Sequence, residues 1–314
     1  MKACLALLAF AALVGAAPAP APAPDGWDLV WSDEFAGSEI DPAKWNFDPD
    51  CWGGGNEERQ CYTSSSRNAQ VTGGLLVITA RRENVSGPAL PAAQRAAAKD
   101  PGAQVKREYS SARLTTRGKA AWRYGKIEVR ARLPQGQGTW PAIWMLPEAE
   151  TYGPWAASGE IDVIEAVNLG VYCKTCRNER EDTILGTIHF GKAWPGNKLA
   201  STEIHYPPIL KGFHTFAVEW EPNRITWLVD DRIYAVRNAR EWFSGGSDQP
   251  GAPFDRPFHL ILNLAIGGHL PESRGTGGTD PVGFPKRFEI DWVRVWRKPG
   301  NLPISRTGNP ATGE

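Results

Sequence analysis

Apolar and polar side chains alternate from Gly125 to Leu133, with Ile127, Val129 and Ala131 on one side and Glu128, Arg130 and Arg132 on the other. A period of two belongs to a half-buried β-strand, so the first trio is expected to face the core and the second solvent. Phe213–Glu221 and Arg224–Asp230 read as neighbouring strands, and the chain then turns at Asp230-Asp231 into Arg232–Arg237. Phe258–Ile266 is apolar at nearly every position and reads as a central strand. Short strands at close intervals predict an all-β fold of two stacked antiparallel sheets. Residues 85–108 break the pattern. They are rich in Ala, Pro and Gln, and are expected to form a surface insertion with a short helix at 91–99.

The N-terminus follows other rules. Met1-Lys2 precedes an apolar run from Ala3 to Val14 and small residues at Gly15-Ala16-Ala17, the layout of a signal peptide over residues 1–17. The run is well short of the ~20 residues of a membrane span. Residues 18–26, mostly alternating Ala and Pro, read as a stiff linker. A single domain is expected over 27–298, because a chain of this size can bury one large core, with a loose tail over 299–314. The chain is expected to be a monomer, secreted or periplasmic. Lys+Arg and Asp+Glu balance at 35 each, which argues against nucleic acid or an anionic membrane as partner. Asn84-Val85-Ser86 is a glycosylation sequon that matters only in a eukaryotic secretory host.

Export makes the cysteines readable. Losing Cys4 with the signal peptide leaves Cys51, Cys61, Cys173 and Cys176. An even count in an oxidising compartment favours disulfides, and local pairing, Cys51–Cys61 and Cys173–Cys176, is the preferred connectivity of three. The Cys-x-x-Cys at 173–176 also fits a redox motif or half a zinc site. The first lacks a βαβ context and the second lacks another closely spaced pair.

The densest chemistry lies in Gly159-Glu160-Ile161-Asp162-Val163-Ile164-Glu165, with three carboxylates in a segment that otherwise reads as a buried strand. Desolvating ionised carboxylates is costly. Cleavage of a glycosidic bond gives them a reason, because it usually needs two carboxyls facing each other across the bond. In a regular strand Glu160 and Asp162 share a face and Glu165 points the opposite way. One extra residue, a β-bulge between Asp162 and Glu165, puts all three on one face. The glutamate Cα atoms are then roughly 13 Å apart. Side chains leaning together close that gap to near the ~5–5.5 Å of a retaining glycosidase. The plainer reading is solvated strand residues or partners of surface arginines. Fourteen tryptophans weigh against it, several of them beside this segment at Trp140, Trp144 and Trp155. Flat aromatic rings stack on sugar faces, although any one tryptophan can equally be core.

From about Trp27 to Arg297 the chain resembles glycoside hydrolase family 16, and within it the laminarinase-like endo-β-1,3-glucanases. The landmarks occur in the family's order: Trp31-Ser32-Asp33-Glu34-Phe35, the run Gly55 to Thr63, Tyr124 to Pro134, Trp140 to Leu146, the Glu160–Glu165 signature, Phe213 to Trp220, Leu262 to Gly268, and Glu289 to Trp296. The bulged form of the signature is usual in laminarinases, agarases and carrageenases. The resemblance implies a jelly-roll sandwich whose concave sheet carries the cleft. It implies Glu160 as nucleophile, Glu165 as acid/base and Asp162 between them, with no cofactor for catalysis. His189 matches a cleft histidine on a neighbouring strand; the alternative is a core histidine. Trp140, Trp144 and Trp155 are expected as sugar platforms, with Trp144 the one most open to a core reading. Asn56, Arg81 and Asn263 match positions lining the glycone side, and Arg81 equally fits a solvated strand residue. Trp194 and Trp242 are candidates for outer subsites. Many relatives hold one structural calcium, and the matching positions are Glu34 and Gly74 through carbonyls and Asp291 through side chain and carbonyl. An ordinary salt-bridged acid is the alternative for Asp291.

Three functions stay open on the sequence. The first is a retaining endo-β-1,3-glucanase acting on a β-1,3-glucan polysaccharide. The second is a glucan-recognition protein on the same fold, although such relatives typically lose the glutamates kept here. The third is a relative acting on mixed-linkage glucan or agarose, or a transglycosylase; fold alone does not separate these.

Overall fold

The computed structural model describes residues 24, 26–176 and 178–299. The expected signal peptide lies outside the described residues, as do the linker apart from Pro24 and Gly26 and the tail after Pro299. Among the described residues no helix is long and apolar enough to cross a membrane.

Two sheets make up the fold. The larger runs in the order β15 (Arg232–Asn238), β14 (Arg224–Val229), β13 (His214–Glu221), β8 (Gly125–Arg132), β17 (Lys286–Arg297), β5 (Leu75–Pro88), β6 (Gln104–Ser111) and β3 (Gln60–Tyr62). Strand β1 (Asp28–Asp33) also pairs with β17, and β4 (Ala69–Thr72) with β5. The smaller sheet runs β12 (Asn197–His205), β11 (Thr183–Gly191), β10 (Glu160–Glu165), β9 (Thr139–Pro147), β16 (Phe258–Ile266), β7 (Arg113–Thr115) and β2 (Asn46–Phe47). Its pairings are all antiparallel. The expected strands at 125–133, 213–221, 224–230, 232–237 and 258–266 are all present. Strand β16 is buried at all nine positions, with β9 and β7 on its two sides.

The inner faces share one core. Ile127, Val129 and Ala131 of β8 and Phe216, Val218 and Trp220 of β13 join Ile161 and Val163 of β10 and Leu260, Leu262 and Leu264 of β16. Each large apolar side chain buried this way contributes about 1.5–3 kcal/mol, so the site-bearing strand is held from beneath by packing. On the outer face of β8 the expectation of solvent fails at Glu128, which is only 7% exposed. Lys126 Nζ lies 2.9 Å from one carboxylate oxygen and Trp296 Nε1 donates to the other at 3.0 Å. Polar alternation marks the second face of a strand; whether neighbours close over that face is a separate matter.

Residues 85–108 also differ from the expected strandless insertion. Strand β5 continues to Pro88 and β6 starts at Gln104, with registered pairs from Val85–Arg107 to Pro88–Gln104. The four-residue helix α1 (Ala92–Arg95) sits between them, within the expected 91–99. The arm is polar and part-exposed along its length, so it shows no apolar period. The disulfides follow the preferred connectivity, Cys51–Cys61 and Cys173–Cys176.

At the calcium positions the two acidic side chains are paired with arginines. Asp291 is the one expected side-chain ligand, and its Oδ2 is taken by the Arg130 guanidinium. Glu34 is held by both arms of Arg294, at 2.9 and 2.8 Å. Gly74 sits in the tight turn between β4 and β5. A cation taking Asp291 Oδ2 would share it with or displace the Arg130 guanidinium. A thermal scan with calcium and with EDTA separates the two readings of Asp291: a rise in Tm of several degrees with calcium is expected of a calcium ligand, and an unchanged Tm of an ordinary salt-bridged acid.

Candidate active site

Strand β10 runs between β9 and β11. Asp162 pairs with Thr187 and Glu165 with Leu185, so a three-residue step on β10 spans a two-residue step on β11. Against β9, Asp162 faces Trp144 and Ile164 faces Ile143. The extra residue is the bulge expected from the sequence. Ile161, Val163 and Ile164 are 0–1% exposed and belong to the core. The three acids are left on the other face. Gly159 leads into the strand at φ +88°, and a Cβ there would stand 2.9 Å from the Phe254 ring, so the entry admits only glycine.

The two glutamates have unlike surroundings. Trp155 Nε1 donates to Glu160 Oε2 at 2.6 Å. His189, directly across on β11, brings Nε2 to 3.5 Å from Glu160 Oε1 and 3.4 Å from Asp162 Oδ2. Trp155 also lies against the His189 ring, 5.4 Å between centroids. Glu165 Oε1 accepts from Trp140 Nε1 at 2.9 Å. Burial raises the pKa of Glu165; Trp140 and His189 pull it down, and the charges of Glu160 and Glu58 push it up. Asp162, 3% exposed, is held well above the usual carboxylate range by burial and then by Glu160 and Glu165. Burial draws His189 down, but Glu160 and Asp162 outweigh it and the imidazole is pushed up to about 10. The two carboxyls thus favour the protonated imidazole over the neutral one.

The remaining candidates divide. Trp144 is no core residue: it pairs with Asp162 and shares its face. Its Nε1 donates to Asn263 Oδ1 at 2.6 Å, and Asn263 Nδ2 donates to Tyr62 Oη at 2.9 Å. Tyr62 Oη donates to Glu58 at 3.3 Å, and Glu58 also accepts from Gln60 at 2.7 Å and Asn56 at 3.3 Å. Trp144, Asn263 and Asn56 are therefore ends and middle of one chain. Arg81 is not brought to it. It shares the strand parity of Val77 and Thr79, opposite to the core-facing Ile78 and Ala80, and its Nε donates to the Arg67 carbonyl at 3.0 Å. Trp242 is 5% exposed and packs edge-on to Phe254, which removes it as an outer platform, whereas Trp194 is 75% exposed.

Glu58 and Tyr62 were missed as site residues. Burial raises the pKa of Glu58, against donors from Gln60 and Asn56. Glu58 also lines a cavity of about 720 Å³ with Trp52, Glu57, Arg59, Arg107 and His269. The signal was Gly55-Asn56-Glu57-Glu58, an acid pair beside an exposed tryptophan, but sequence does not show which of two adjacent acids turns inward.

Known proteins are similar to this chain over most of its length. A glucan endo-1,3-beta-glucosidase A1 of Niallia circulans is 38% identical over 88% of this chain, which spans 39% of that protein's length. A beta-glucanase of Rhodothermus marinus is 43% identical over 86% of this chain and 85% of its own. The X-ray structure of the laminarinase from Rhodothermus marinus superposes with a TM-score of 0.68 at 42% identity, covering 86% of this chain and 97% of that one. The family described as glycosyl hydrolases family 16 matches residues 56–294, and the chain belongs to it.

Proposed function

We infer that the protein is an exported, retaining endo-β-1,3-glucanase that hydrolyses laminarin-type glucans by double displacement. The observation that carries this is the bulge, which sets Glu160, Asp162 and Glu165 on one face while giving the two glutamates different partners. Glu160 is the nucleophile. Its carboxylate oxygen bonds to the anomeric carbon, the glycosidic C–O bond breaks, and the electron pair leaves with the oxygen of the departing chain. Glu165 gives that oxygen its proton. Because Oε1 already accepts from Trp140, the proton is carried on Oε2. In the second step Glu165 takes a proton from water, which attacks the same carbon and releases Glu160. Asp162 sits between the glutamates, and its charge, when present, disfavours ionisation of a neighbouring acid. Trp140, Trp144 and Trp155 offer ring faces to the sugars, and their N–H groups are spent on Glu165, Asn263 and Glu160. Asn56 and Asn263 serve the glycone side. Arg81 reaches it only by giving up its bond to Arg67. Residues 1–17 direct export. The name of the Niallia relative, a glucan endo-1,3-beta-glucosidase, supports the β-1,3 linkage, and that of the Rhodothermus structure, a laminarinase, supports laminarin as substrate.

The test is reducing-sugar release from laminarin, with lichenan and agarose in parallel and NMR of the first-formed anomer. Laminarin cut first, with β product, is the expected result. Preference for lichenan would favour the mixed-linkage reading. Binding of laminarin without release from any of the three would overturn the enzymatic reading.

Trp140→Phe separates the acid/base from its donor. The Trp140 hydrogen bond lowers the pKa of Glu165, so removing it lets that pKa rise. The alkaline limb of the pH–kcat profile, which reports the group that must hold a proton, is expected to move to higher pH. kcat at the optimum falls as the carboxyl loses its fixed orientation. A limb that moves down, or not at all, would remove Glu165 from the role.

A further inference from the structure

The bulge that phases the acids is itself held, and the holder comes from the other sheet. A bulge interrupts the ladder and leaves backbone groups without their strand partner. At the start of this one, the Asp162 carbonyl accepts a hydrogen bond from Trp227 Nε1 at 2.7 Å. Trp227 lies on β14 of the larger sheet, is 1% exposed, and reaches across the sandwich interior. The strand opposite makes room for it. A Cβ on Gly186 of β11 would stand 2.5 Å from Trp227 Cδ1 and 2.6 Å from Tyr234 Oη. Gly186 adjoins Thr187, the register partner of Asp162.

We propose that Trp227 is a positioning residue for the hydrolytic reaction, locking the β10 bulge so that Asp162 and Glu165 stay in phase with Glu160. The proposal rests on the reading of these acids given above. Trp227 touches no substrate. Its donor fixes one carbonyl, the carbonyl fixes where the extra residue is inserted, and the insertion decides which face Glu165 takes. Slipping the insertion by one residue turns side chains to the opposite face. Gly186 belongs to the same device, because any larger residue pushes the indole away.

Trp227→Phe keeps a ring and removes the donor. Trp220→Phe is the matched control. Trp220 is 0% exposed and donates Nε1 to the Phe254 carbonyl at 3.1 Å, so it too loses one buried indole donor, but away from the bulge. Each variant is assayed on laminarin well below its own Tm. Trp227→Phe is expected to lower kcat by about 10- to 100-fold, as displacement of reacting groups does, with KM within about twofold. Trp220→Phe is expected to lower Tm to a similar extent and to keep kcat within about twofold of wild type. Replacement of Trp227 by benzothienylalanine, in which sulfur replaces the N–H at nearly constant shape, is expected to reproduce the kcat loss, and it decides the matter if Trp227→Phe fails to fold. Equal kcat in the Trp227 and Trp220 variants, or full activity with benzothienylalanine, overturns the proposal. Wild-type protein that hydrolyses none of the glucans would overturn the underlying reading instead.

Discussion

Glu160→Gln is expected to leave the fold standing and to remove laminarin hydrolysis almost completely, by about 10⁴-fold or more. The substitution keeps the shape of the side chain. Its amide oxygen still accepts the 2.6 Å bond from Trp155 Nε1, so the rim of the site is not disturbed. What disappears is the anionic oxygen that bonds to the anomeric carbon, and no neighbour replaces it. Asp162 is 3% exposed, and burial, the largest cause holding its carboxyl well above the usual range, is left in place by the substitution. Laminarin binding, measured by calorimetry, is expected to persist, because the tryptophan faces and Asn263 are untouched. Removing the Glu160 charge also relieves the imidazole. Burial already draws His189 down and Glu160 is the largest group holding it up, so its titration, followed by NMR, is expected to fall below about 10. Azide added to Glu160→Gly should give an α-glycosyl azide, since the small anion attacks from the vacated side. Activity above about one per cent of wild type in Glu160→Gln would mean that another group attacks.

The sandwich was legible because its strands carry either an apolar face, as at 125–133, or an apolar run buried throughout, as at 258–266. The alternation at 125–133 and the apolar run at 258–266 each mark a real strand, and Glu165 shares a face with Glu160 only through a bulge. The β5–β6 arm was illegible for the converse reason. Polar and half-exposed, it carries no apolar period, and its strands are joined by backbone pairing and by polar contacts such as Ser110 Oγ to Glu83 at 2.6 Å. The site divides the same way. Glu160, Asp162, Glu165 and His189 lie on paired strands, so parity and neighbourhood bring them together. Glu58 and Tyr62 meet Asn263 through a loop-borne chain of side-chain hydrogen bonds, and Trp227 meets Asp162 across the core. Such contacts depend on how two sheets stack, which no local pattern encodes. Trp242 shows the opposite error, where a residue in the expected place is already packed against a neighbour.

Glu165→Gln is expected to lower kcat on laminarin by about 10²- to 10⁴-fold, the range that general acid–base catalysis supplies. The loss should depend on the leaving group, which separates this role from that of Glu160. A glucan chain leaves as a poor alkoxide and needs the Glu165 proton. An aryl β-laminaribioside with an acidic phenol leaves without it, so formation of the glycosyl-enzyme should be nearly unimpaired. The second step then limits, because water lacks its base, and a burst of phenol followed by slow turnover is the expected trace. Azide needs no base. It should restore turnover and yield the β-azide, the opposite anomer to that from Glu160→Gly. The pH profile should change with it. Burial is the largest cause raising the pKa of Glu165, and the alkaline limb assigned to its ionisation is expected to be lost in the glutamine variant. Trp140 still finds an amide oxygen to donate to, so a large fall in laminarin affinity is not expected. An equal loss on the aryl substrate and on laminarin, or an α-azide from this variant, would exchange the roles of the two glutamates.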